Sequence, residues 1–177
     1  MRFFVSLCCI MVCTNNPSID FGKTKMGSEW RIVNDDVMGG RSTSTGSIND
    51  DALYFSGYVS LENNGGFASV RSPYGAYDLS NFSEIVIRHK GTARAFALTF
   101  DTYRRWYMPN YKMEFIPSET WQETSIPIKS LKESRIGQYT GETISKEKCS
   151  EIIQMGIILY DKKEGAFELE VDYIKFR

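Results

Sequence analysis

Two adjacent carboxylates, Asp35 and Asp36, stand just ahead of Gly39-Gly40 in the stretch VNDDVMGGRSTS, Val33 to Ser44. A second Gly-Gly pair, Gly65-Gly66, follows in NNGGFASVR, Asn63 to Arg71. Adjacent acids in a loop can offer oxygens to a hard cation, but calcium takes about six to eight of them, and one acidic pair falls far short. The other chemistry open to these residues is structural. Glycine reaches positive φ and lets backbones pass closely, and Asn63 and Asn64 tolerate left-handed backbone too. Two loops closed on each other in this way would set Arg71 against Asp35 or Asp36 as a charge-assisted pair. A structural Ca2+ at the acids is the alternative; no other cofactor is expected.

A third cluster lies in DTYRRWYMPNYK, where Arg104, Arg105 and Lys112 are interleaved with Tyr103, Trp106, Tyr107 and Tyr111. Exposed Trp, Tyr and Arg are the residues that anchor protein partners or stack on sugars. Arg104, Arg105, Trp106, Tyr107 and Tyr111 are therefore the candidate partner-binding residues. Catalysis finds little to use. The single histidine, His89, ends a predicted strand with no nucleophile at a recognisable spacing, so neither a triad nor a histidine metal cluster is expected. The phosphate-cradling glycine motifs are absent. Sequence neighbours on a strand point to opposite faces, so Asp35 and Asp36 make a poor acid–base pair. The expectation is a protein that is not an enzyme.

The elements that must position these residues read as strands. DALYFSGYVSL places Leu53, Phe55 and Gly57 on one face and Tyr54 and Tyr58 on the other. FSEIVIRHK alternates through Ile85 and Ile87, and ARAFALTF is apolar on both faces, as a fully covered strand would be. YKMEFIP and WQETSIPI predict two more strands, joined as a hairpin through Pro117-Ser118-Glu119. In GAFELEVDYIKFR the apolar set shifts phase after Val171, which predicts a bulge near Asp172-Tyr173. SKEKCSEIIQ reads as a short helix capped by Ser145, ahead of the strand GIILY. Many strands with frequent turns and little helix argue for an all-β sandwich or barrel.

At 177 residues the chain fits one domain, and its hydrophobic (42%) and charged (24%) fractions are those of a globular protein. A net charge of −1 gives no pull toward nucleic acid. The start, MRFFVSLCCIMVC, has one basic residue and then an apolar run too short to span a bilayer but suited to a signal peptide. Residues 1–27 are read as leader and linker, residues 28–177 as the domain. Cys13 is the candidate lipidated cysteine of a protein exported to, or anchored at, the cell envelope. A mitochondrial leader, the alternative, fits less well because Arg2 is the only basic residue before Lys23. With Cys8, Cys9 and Cys13 in the leader, the domain retains Cys149 alone and no internal disulfide.

The segments WRIVNDDVMGGRSTS, FSGYVSLENNGGFASVRS and GAFELEVDYIKF together resemble the complex I intermediate-associated protein family, from about Trp30 to Phe176. The resemblance implies a jelly-roll β-sandwich like that of galactose-binding domains. It marks Trp30, Asp35, Asp36, Gly39, Gly40, Ser42, Asn64, Gly65, Gly66, Phe67 and Arg71 as structural signature residues. It also implies a non-catalytic, chaperone-like module that binds a respiratory-complex subunit or assembly intermediate. The alternative is a carbohydrate-binding module of a cell-envelope protein, since sandwiches of this shape carry sugars on aromatic platforms.

Overall fold

The computed structural model describes residues 18–22, 27–49 and 51–177. The expectations of a signal peptide and of a lipidated Cys13 fall outside them. The strands are β1 (Ser18–Asp20), β2 (Arg31–Asn34), β3 (Thr43–Asn49), β4 (Ala52–Val59), β5 (Ala68–Arg71), β6 (Glu84–Gly91) and β7 (Phe96–Asp101). There follow β8 (Asn110–Phe115), β9 (Gln122–Pro127), β10 (Lys132–Arg135), β11 (Gln138–Thr143), the helix α1 (Lys146–Ser150), β12 (Gln154–Leu159) and β13 (Gly165–Phe176). One sheet runs β3-β4-β13-β6-β9, with β1 added beside β13, and the other runs β11-β10-β8-β7-β12-β5-β2. Their pairings are antiparallel, and the two sheets enclose one core: the sandwich that the alternation predicts, in the jelly-roll form that the resemblance implies.

Period two decides what faces inward. Phe96, Leu98 and Phe100 of β7 point into the core against Phe167, Leu169 and Val171 of β13. The rings of Phe96 and Phe167 meet edge to face across the sandwich, centroids 6.0 Å apart. The register of β13 against β6 slips between Val171 and Tyr173, the bulge that the phase shift in sequence requires. Ser145 caps α1, accepting from the Lys148 N–H at 3.3 Å. Cys149, on that helix, is buried with its thiol free.

Two expectations are corrected. β8 and β9 do not form a hairpin, because β8 joins the seven-stranded sheet and β9 lies at the edge of the six-stranded one. The segment around Pro117-Ser118-Glu119 therefore crosses between layers. The domain also starts earlier than residue 28. Within the stretch read as linker, β1 pairs with β13, and Ile19 and Phe21 are buried in the core.

His89 lies within β6 rather than at its end. It is 0% exposed on the inner face of β6, its ring 4.7 Å from that of Phe115. Nε2 shares a 2.8 Å hydrogen bond with Thr124 Oγ1, while Nδ1 is buried without a partner. Burial lowers its pKa from 6.5 to about 4, so the folded protein holds the imidazole neutral. The unfolded chain takes up a proton below its ordinary pKa and the folded one does not until far lower. Stability contributed by the neutral ring is thus complete above that ordinary value and is lost as pH falls toward 4. The expected slope is at most roughly 1.4 kcal/mol per pH unit over that window. Urea unfolding of wild type against His89→Gln between pH 7 and 4.5 checks it, and the variant is expected to lose less stability on acidification. The comparison isolates the imidazole because Asp101, whose carboxyl burial holds above the usual range, titrates in both proteins.

Candidate functional site

The Gly-Gly pairs close around one carboxylate. Asp35 opens a short 3-10 turn, Asp35–Met38, and is 1% exposed. Its Oδ1 accepts from the Ser42 N–H at 2.9 Å, and its Oδ2 from Ser42 Oγ at 2.5 Å, Gly66 N–H at 2.6 Å and Phe67 N–H at 3.1 Å. Burial by itself would raise the pKa of this group; the hydrogen bonds from Ser42, Gly66 and Phe67 outweigh it and hold the carboxyl below its ordinary value. The glycines serve two different ends. Gly39 and Gly66 take φ of 87° and 128°, closed to most side chains. Gly40 and Gly65 leave room for the acid, since a Cβ there would stand 2.4 Å from Asp35 Cγ and 2.7 Å from Oδ2 respectively. Asn63 and Asn64 adopt the left-handed backbone expected of them. Trp30 lies at the other end of β2 from Asp35, its ring edge-on to Phe21 at 5.2 Å.

The predicted partner of this acid is wrong. β2 and β5 are antiparallel, with Arg31 opposite Arg71 and Asn34 opposite Ala68. Asp35 therefore adjoins the Ala68 end of β5, and Arg71 lies about 10 Å away at the other end, three residues of extended chain. Arg71 Nε donates to Ser69 Oγ at 3.1 Å, and its charge acts on Asp101. Asp36 stays exposed. With both Asp35 oxygens turned toward N–H and O–H donors, what this loop leaves for a cation is the side chain of Asp36. Among the described residues no three His, Cys, Asp or Glu side chains gather where they could hold a metal ion.

The 102–109 loop joins β7 to β8 at the end of the sandwich opposite Asp35. Trp106 is 68% exposed there, packed edge-on against Tyr107 at 6.1 Å. Arg105 Nη1 donates to the Tyr107 hydroxyl at 2.9 Å, and the Arg104 guanidinium lies 4.5 Å from the Tyr74 ring centre. Four of the five candidate residues thus share one exposed, internally braced surface. Tyr111 does not join them. It points into the core, 4% exposed, and its hydroxyl donates to Glu133 at 3.1 Å.

Sequence reasoning missed a second surface. On β8 the side chains that alternate with core residues, Lys112 and Glu114, face outward from the seven-stranded sheet. With Tyr139 of β11 and Tyr160 beyond β12 they line a groove of about 380 Å³. One wall, the 160–164 loop, is held by Arg94, which is nearly buried with Asp161. Arg94 Nε and Nη2 donate to the two Asp161 oxygens at 2.9 and 2.7 Å, and Nη1 donates to the Gly165 carbonyl at 2.9 Å. Nη2 also donates to the Lys163 carbonyl. Burial would raise the Asp161 carboxyl, but the Arg94 hydrogen bonds and charge lower it below the usual range. Arg94 carried no motif, and only its sequence-distant partner gives it meaning.

This is the fold of β-sandwich carbohydrate-binding modules. The family 11 module of the cellulase Lic26A-Cel5E of Clostridium thermocellum superposes with a TM-score of 0.65 at 12% identity, over 90% of this chain and 94% of that one. The same type of module in complex with a β-1,3-1,4-mixed-linked tetrasaccharide gives 0.62 at 14% identity, with the same coverage. By sequence the chain belongs to the Complex I intermediate-associated protein 30 family, which it matches over residues 19–171. It is 28% identical over 172 residues to mouse (Mus musculus) mitochondrial Complex I intermediate-associated protein 30, covering 82% of this chain. It spans about half the length, 51%, of that relative.

Two substitutions test this architecture. Asp35→Ala strands buried N–H donors of both loops and is expected to cost on the order of 3 kcal/mol in urea unfolding. Arg94→Met leaves Asp161 buried and unpaired, for an expected loss of about 3–5 kcal/mol, and adding Asp161→Leu should return part of it. A cost below 1 kcal/mol for either single variant would show the site to be solvated rather than shielded.

Proposed function

We propose that this chain is a non-catalytic binding module that holds a protein partner in the manner of an assembly factor, with the 102–109 loop as its docking surface. The observation that carries this reading is a tryptophan left in solvent on a loop whose other aromatic and basic side chains are already held: Arg105 by Tyr107, Arg104 by Tyr74 and Tyr103 by Lys148. Such a loop loses little conformational freedom on docking, and Trp, Tyr and Arg supply most of the energy at protein interfaces. Family membership supports the same reading. The name of the mouse relative favours an intermediate of respiratory complex I as the partner and a mitochondrial setting over the cell envelope.

A second reading, a saccharide-binding module, is favoured by the Tyr139–Tyr160 groove on the outer sheet face and by the neighbours in fold. The two readings use different surfaces. The test of the first is co-purification of solubilised complex I intermediates on the full chain, with Arg105→Ala and Trp106→Ala as variants. Each is expected to cut recovery by roughly tenfold or more, as hot-spot truncations do, with an unchanged melting temperature. Unaltered recovery in both would remove the loop from the docking surface.

A further inference from the structure

The groove on the outer face of the seven-stranded sheet has an electrostatic character that its shape alone does not explain. Lys112 and Lys132 stand directly opposite each other on β8 and β10, and both face outward. Like charges in this arrangement are destabilising unless something neutralises them. Their ammonium groups lie 4.7 and 5.4 Å from the ring centre of the same residue, Tyr139. Lys112 also lies 6.0 Å from the Tyr160 ring, and Lys162 approaches that ring from the wall at the same distance.

The acids of the groove are already engaged. Glu114 accepts the Tyr139 hydroxyl at 2.8 Å, and Asp161 is neutralised by Arg94. The Lys112 ammonium, on the half-buried floor, makes neither an ion pair nor a hydrogen bond among the described residues. Burial lowers its pKa, with Glu114 opposing, as expected of an ammonium short of acceptors. A protein of net charge −1 thus gathers an excess of positive charge around two tyrosine rings, in a groove whose wall a buried arginine keeps in place.

We propose that this groove binds a saccharide whose rings carry acidic groups, carboxylate or sulfate, with Tyr139 and Tyr160 as the stacking faces and Lys112, Lys132 and Lys162 as the counter-charges. The inference rests on the saccharide reading and deepens it by fixing the charge of the ligand. A peptide fits less well. Central strand β8 is paired on both sides, to β7 and β10, so the floor has no free main-chain edge for a strand to extend. What it offers is ring faces and point charges, which suit a rigid, charged ring.

Calorimetric titration of the full chain with trigalacturonate, a sulfated galactan tetrasaccharide, cellotetraose and hexaglutamate separates the outcomes. One or both acidic saccharides are expected to bind at least tenfold more tightly than cellotetraose, with affinity falling as salt is raised. Lys112→Met and Tyr160→Ala should each weaken that binding tenfold or more, while Lys112→Arg retains most of it. Lys132→Gln, on the neighbouring strand, should weaken it several-fold and serves if Lys112→Met does not fold. Equal binding of cellotetraose and the acidic saccharides, indifferent to both lysine variants, would overturn the charge assignment and leave a neutral saccharide site. Failure of every saccharide to bind would overturn both. Binding of hexaglutamate alone would make the groove a docking site for acidic peptides and overturn the proposal as well.

Discussion

One buried carboxylate holds the Gly-Gly end of this sandwich together. Four donors converge on Asp35, and they come from segments far apart in the chain: the start of β3 and the loop that precedes β5. Ser42 extends the network, since its hydroxyl also accepts from the Ser60 N–H at 3.0 Å, at the end of β4. Parts of both sheets are therefore fixed to a single side chain. A charge at this depth is tolerable only because its lone pairs are filled, which is why the glycines are needed as much as the acid. Neutral hydrogen bonds could join the same loops, but bonds to an ionised acceptor are roughly twice as strong. The arrangement also explains why the motif mimics a metal loop in sequence while offering little to a metal in space: N–H groups occupy the positions a cation would take.

The fold was legible wherever a strand is apolar on one face and failed to show where it is not. β4, β6, β7, β12 and β13 carry alternating or continuous apolar runs, and each is where the pattern places it. β11 is exposed along its whole length and β3 is mostly Ser, Thr and Gly, so neither leaves an apolar period to read. The supposed hairpin between β8 and β9 failed for a related reason: alternation identifies strands but is silent on which sheet each joins. The bulge near Asp172 was visible because a phase shift is local information. The pairing of β1 with the last strand was not, because three residues give no period.

The site was legible only in part, and the division follows contact distance in sequence. The glycines and Asp35 could be grouped because two similar motifs lie close together. The error was to seek a charge for the charge, when the backbone amides of Gly66 and Phe67 were the partners. Arg71 was drawn in by its sign, whereas antiparallel register sends it to the other end of β5. Tyr111 was misread for want of parity: in YKM the tyrosine alternates with Lys112, and only one of the two can face water. That same parity makes Lys112 the outward residue and so creates the groove. Arg94 and Asp161 are sixty-seven positions apart, beyond any spacing rule.

The Gly-Gly end of the sandwich and the groove touch only through exposed hydrogen bonds. Leu61, next to Ser60, donates its N–H to Glu164 at 3.4 Å, and Glu164 belongs to the loop that walls the groove. That contact is long and exposed, as is the 3.2 Å bond from the Tyr58 hydroxyl to the same carboxylate, and water competes for both. The wall's own anchor is different in kind: a buried bidentate pair backed by backbone carbonyls, which costs several times as much to break from one side. Spatial continuity of this sort is not by itself coupling, which takes a two-state element whose equilibrium both sites bias. Asp35 and the Gly-Gly pairs therefore hold the scaffold, and the side chains that line the groove lie outside them. The Gly-Gly loops and the outward side chains of β8, β10 and β11 are thus separate parts of the molecule, and the fold alone does not dictate what the outer sheet face binds.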